Sequence, residues 1–121
     1  MTEKSKNKPY DLEERTFQFA KSVRLLIKTL EKSIVNIEDS KQVIRSSGSV
    51  GANYIEANEA LSKKDFAYRV KICRKEAKES VYWLRLIHET NRLPNDKIVR
   101  ELIQEATELK KIFTAIVEKS K

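Results

Sequence analysis

The sequence predicts an all-α fold, an antiparallel up-down-up-down four-helix bundle, on three observations. Apolar residues recur every three or four positions along most of the 121 residues, the period of a helix that buries one face. Glycine and proline number two each, too few to supply the turns of a β-rich chain. Charged residues make up 36% and hydrophobic residues 40%, a balance that suits long amphipathic helices and argues against disorder. A chain of this length forms one core.

Taken in order, residues 1–9 (MTEKSKNKP) read as a basic tail, frayed or disordered, and residues 10–121 as a single bundle domain. The first helix is expected from Asp11 to about Lys32, with Leu12, Phe19, Val23, Leu26 and Leu30 on its buried stripe and Phe17, Ala20 and Ile27 widening it. Residues 33–40, SIVNIEDS, read as a β-branched connection whose isoleucines tuck into the core. A second helix is expected from Asp39 or Ser40 to about Ala60.

Ser62 then offers an N-cap, with Asp65 completing a shortened capping box for a third helix from Lys63 to about Asn91. Phe66, Val70, Cys73, Ala77, Ser80, Leu84 and Ile87 follow in alternating steps of four and three, the heptad seam of an antiparallel bundle. Pro94 and Asn95 break the chain. The last helix carries Ile98, Leu102, Ala106, Leu109, Ile112, Phe113, Ile116 and Val117.

Both glycines, Gly48 and Gly51, fall inside the second helix, where each costs about 1 kcal/mol relative to alanine. They share a face with Ser47, Ala52 and Ile55, so they read as a place where a neighbouring helix approaches closely, its aromatic or leucine side chains filling the space. A phosphate-binding glycine loop is excluded, since no strand precedes them and the spacing is wrong.

The run IRSSGSVGANYIEANEALSKKDFAYRVKICRKEAKESVYWLRLI, residues 44–87, resembles the signature of the bacterial family encoded by intervening sequences in 23S rRNA genes. The matching features are the small residues leading into Asn53 and Glu56-Ala57, then Ser62 with Asp65-Phe66. Lys75-Glu76-Ala77 with Glu79 and Tyr82-Trp83-Leu84 complete them. Tyr54-Ile55 departs from the pattern, being bulkier than the small residues expected there. The resemblance implies a four-helix bundle, in several members a ring-shaped homopentamer. It also implies kinship with accessory proteins of diversity-generating retroelements, similar bundles that bind a reverse transcriptase and nucleic acid.

The net charge of +7 is concentrated: residues 62–92 hold nine Lys and Arg against four Asp and Glu. Lys64, Lys71, Lys78, Arg85 and Arg92 follow one another at intervals of seven, and Arg74 and Lys75 thicken the stripe. Over that length a helix extends about 42 Å, and the stripe drifts by about 20° per heptad. Like charges at these spacings repel, so the stripe reads either as a solvated bundle surface or as the site of an anionic partner, RNA or DNA, bound through its backbone. Tyr68 and Tyr82 flank the stripe and are candidates to stack on bases.

A second set consists of Asn53, Glu56, Arg69, Glu76, Glu79 and Trp83. These residues, with Gly48 and Gly51, read as structural or interface positions that hydrogen-bond between helices or across a subunit boundary. An alternative function class is a structural adaptor that docks a protein partner without nucleic acid.

Catalytic and cofactor chemistry find no support. The single His88 has no glutamate three residues before it, so the Glu-x-x-His pairs of a di-iron bundle are missing. No nucleophile constellation surrounds it. Cys73 lies on the apolar seam as a small core residue and has no disulfide partner. No apolar run reaches the roughly 20 residues of a membrane span, and the N-terminus lacks a signal-peptide core. The expectation is a non-enzymatic, cofactor-free, cytoplasmic homo-oligomer.

Overall fold

A computed structural model describes residues 11–121, and the expectation for residues 1–9 falls outside them. Four helices account for most of the described chain: α1 Leu12–Ile27, α2 Ile34–Asn58, α3 Lys63–Thr90 and α4 Lys97–Lys119. Each packs on its neighbours in sequence, and α1 closes the bundle against α4.

The interhelical bonds display the antiparallel register directly. Between α2 and α3, Asn36 pairs with Asn91, Ser46 with Ser80 and Asn53 with Arg69. Between α1 and α2, Asn58 donates to the Glu13 carboxylate and Arg24 to the Ile44 carbonyl. In both pairs one number climbs as the other falls. The α1–α4 contact is tied by Arg15, whose Nε and Nη2 donate to the two carboxylate oxygens of Glu105 at 2.7 and 2.8 Å. Nη2 also reaches Glu108 at 3.1 Å, and this forked geometry is one that lysine could not reproduce.

The third helix forms as its sequence predicts. The Ser62 hydroxyl accepts from the Asp65 backbone N–H at 3.0 Å, satisfying one of the free donors of the first turn. Val70, Cys73, Ala77, Ser80, Leu84 and Ile87 are all buried, and Phe66 is half-buried at the end of the seam. The one polar residue of the seam, Ser80, donates to the Glu76 carbonyl and shares a 2.8 Å hydrogen bond with Ser46 of α2. Tyr54 is buried against Phe113 of α4, ring centroids 5.8 Å apart, so this half of the bulky Tyr54-Ile55 departure is absorbed into the core, while Ile55 is exposed.

The segment between α1 and α2 departs from expectation. The first helix ends at Ile27, where the Thr29 and Leu30 N–H groups reach back three residues and tighten the last turn. The second begins at Ile34 because Ser33 caps it, accepting from the Asn36 N–H at 3.1 Å. SIVNIEDS is therefore mostly helix, and its isoleucines face outward, with Ile34 82% exposed. Clustered β-branched residues weigh against a helix only weakly, by a few tenths of a kcal/mol each, and a capping serine outweighs them.

Two stripe assignments also change. Phe17 is 60% exposed, and the buried line of α1 runs instead through Leu12, Thr16, Phe19, Val23 and Leu26. On α4 the inward residue is Val99, and Ile98 is exposed.

Candidate functional site

On α3 the buried seam occupies one side, and the basic residues lie on the other. Lys64, Lys71, Lys75, Lys78, Arg85 and Arg92 are exposed and Arg74 is half-buried. Helical spacing places the six within α3 on an outward face, since α3 meets α2 through Arg69 and Ser80 and approaches the start of α4 at His88–Asp96; Arg92, expected to continue the stripe, falls past the helix end at Thr90 and its extended cap Asn91. None of the seven makes an ion pair with any described residue. Tyr68 and Tyr82 are exposed beside them, and the Tyr82 ring stands edge-on to Trp83 at a centroid distance of 5.1 Å. Such a face can neutralise phosphates along a backbone, and it presents no geometry for reading bases.

The second set lies on the adjoining side of α3, over its junction with α2. Arg69 Nη1 donates to Asn53 Oδ1 at 3.2 Å, and Asn53 donates to the Ser49 carbonyl. For Glu76, expected to hydrogen-bond between helices or across a subunit boundary, no interhelical partner is found among the described residues. The residue is 8% exposed, and its Oε1 is buried with no partner among the described residues. Burial raises its pKa above the ordinary glutamate value, Glu79 raises it further, and Lys75 and Arg45 oppose the shift. Glu79 and Trp83 are half-buried beside it and Glu56 is exposed; neither of these two carboxylates is ion-paired among the described residues.

The two glycines do mark a close approach, but the neighbour differs from the aromatic or leucine side chains anticipated. A methyl group on Gly51 would sit 2.7 Å from Thr16 Oγ1, and one on Gly48 would sit 3.1 Å from the Arg24 guanidinium. Both neighbours belong to α1. The Thr16 hydroxyl donates to the Leu12 carbonyl at 2.7 Å, which holds its side chain against the helix.

That approach leaves a shallow groove of about 530 Å³ between α1 and α2, edged by Phe17, Leu25 and Ile55 and by Lys21, Arg24 and Lys28. The groove is hidden in the sequence because Phe17 sits at a spacing that reads as core. The available signal was the run Phe17, Lys21, Arg24, Leu25 and Lys28, a second helical stripe on the side away from Phe19 and Val23.

His88 makes only local contacts, to Glu89 and Asp96 at the turn into α4. Cys73 is buried, and burial pushes its thiol up to about 12. Among the described residues no cluster of His, Cys, Asp and Glu could hold a metal ion, and no helix is long and apolar enough to cross a membrane.

Residues 8–115 match the family model described as 23S rRNA-intervening sequence protein. The chain belongs to this family. A crystal structure of a protein of unknown function from the S23 ribosomal protein family of Bacteroides thetaiotaomicron VPI-5482 is similar to it. The two are 30% identical with a TM-score of 0.76, covering 87% of this chain and 96% of the other. No curated protein is detectably similar. The family's bundle is thus the frame on which the basic stripe, the Glu76 face and the α1–α2 groove are displayed.

Proposed function

We propose that this member of the family is a non-enzymatic, self-associating bundle that binds RNA or DNA along the backbone through the basic stripe of α3. One observation carries the reading: six cationic side chains of α3 share an outward face, and none has an acidic partner among the described residues. Assembled charges left unpaired repel one another, and bound phosphates relieve that repulsion while releasing counterions.

Self-association is supported by the amount of apolar surface left uncovered. Phe17, Leu25, Ile55, Tyr68 and Tyr82 are all exposed, on two sides of the molecule. The subunit number suggested by the family resemblance is five.

The test is fluorescence anisotropy with labelled single- and double-stranded RNA and DNA across a salt series. Binding weakens linearly on a log–log plot as salt rises. Changing Lys71, Arg74, Lys75 and Lys78 together to glutamine lowers the slope by up to about 3.6, at ~0.9 per phosphate contact. No binding at low salt, or an unchanged slope, overturns the reading in favour of a protein-docking adaptor.

A further inference from the structure

We infer that the α3 stripe takes single-stranded nucleic acid, its bases stacking on Tyr68 and Tyr82 and its phosphates lying on the lysines between them. The inference rests on the nucleic-acid binding proposed above and names the class of strand.

The exposed residues of α3 carry it. Between Phe66 and His88 the exposed side chains are Tyr68, Lys71, Lys75, Lys78, Tyr82 and Arg85, and no others. They follow one another in alternating steps of three and four, so they form a single outward line opposite the buried seam. Every member is a cation or a tyrosine. The acids of the same stretch are withdrawn from the line, Glu76 being buried and Glu79 half-buried. No cation of the line is ion-paired among the described residues.

The tyrosines bracket the lysines. Tyr68 is 60% exposed and Tyr82 57%, so a large part of each ring is free to meet a flat partner. The Tyr82 ring rests edge-on against Trp83 at a centroid distance of 5.1 Å, which restrains it and lowers the cost of ordering it on binding. Along the helix the two tyrosines are about 21 Å apart, within about 40° of one another around its axis. Stacked nucleotides advance about 3.4 Å each along a strand, so roughly six nucleotides or fewer bridge the two rings.

This composition discriminates between strands. Lysine and arginine alone favour a duplex, where phosphates are denser and more counterions leave per contact. Tyrosine reverses the preference, because a duplex hides its base faces in its own stack and a single strand offers them. Every base has such a face, so stacking adds affinity without reading sequence. A membrane surface is a poorer fit, since an interfacial helix buries Trp, Phe or Leu and the exposed line has none of these.

The test is fluorescence anisotropy with three labelled probes of equal length: a single strand, the duplex made from it, and an abasic strand that keeps the phosphates. The native chain should bind the single strand more tightly than the duplex. It should also bind it about tenfold or more tighter than the abasic strand, the effect of stacking one or two bases. Tyr68→Ala with Tyr82→Ala should lose that advantage, keep the salt slope and leave abasic binding unchanged, whereas Tyr68→Phe with Tyr82→Phe should retain it. Both sites are exposed, and circular dichroism checks the fold. A duplex bound as tightly as the single strand, or an alanine pair that loses nothing, overturns the inference while a persisting salt slope upholds backbone binding. No binding to any probe at low salt overturns the backbone binding itself, and this inference with it.

Discussion

Asn36 and Asn91 exchange amide hydrogen bonds across the α2–α3 junction, Nδ2 of each meeting Oδ1 of the other at 2.8 and 3.0 Å. Asn36 also donates to the Glu31 carbonyl and Asn91 to the Ile87 carbonyl, so the pair closes off the loop before α2 and the last turn of α3 together. Removing one amide strands the other beside carbonyls that lose a donor. Asn36→Ala or Asn91→Ala is expected to cost about 1–3 kcal/mol. Urea denaturation of both single variants and the double variant should show the two losses to be non-additive.

The two glycines should respond oppositely to a methyl group. At Gly51 the added carbon meets Thr16 Oγ1 at 2.7 Å, on a side chain pinned by its own hydrogen bond. Gly51→Ala is expected to destabilise by about 1–3 kcal/mol, the usual cost of overpacking. At Gly48 the neighbour is the far end of Arg24, which can swing aside. Gly48→Ala should gain about 0.4–1 kcal/mol by restricting the unfolded chain. Thermal unfolding of the two variants separates the cases, and Thr16→Ala should rescue Gly51→Ala.

Glu76 makes the chain's stability depend on pH in a predictable sense. Its folded-state pKa is raised by burial, next by Glu79, so the native state holds this proton more tightly than the unfolded one. Its contribution to stability is complete below the unfolded value of about 4.3 and is lost as pH rises through the folded value. Glu76→Gln should therefore be more stable than the native residue at about pH 7, with the advantage shrinking towards about pH 4. Urea denaturation of both chains across that pH range is the measurement. An advantage independent of pH would show that Glu76 is charged in both states alike.

Cys73 should be silent to thiol reagents in the native state. Its side chain is fully buried on the α3 seam and its thiol is shifted to about 12, chiefly by burial. The thiolate is the reacting species, so labelling at neutral pH must await opening of the bundle. Labelling with an aromatic disulfide reagent should follow the unfolding transition in urea, and fast labelling without denaturant would contradict the packing.

The sequence by itself determined the class of fold, the α3 seam and the composition of the basic stripe. Each of these is a repeat along a single helix, where 3.6 residues per turn decides which side chains share a face. Ser62 was legible for the same reason, since a cap acts within one turn.

What the tertiary structure decided concerns pairs that lie far apart in the chain. Thr16 beneath Gly51, Arg15 on Glu105 and Asn36 against Asn91 all depend on the register and rotation of one helix against another. Those are set by the loops and by the whole core at once, so no local pattern contains them. Phe17 shows the limit most plainly: a phenylalanine at helical spacing reads as core, yet it stands on the groove rim because Thr16 and Phe19 already fill the inward side of α1.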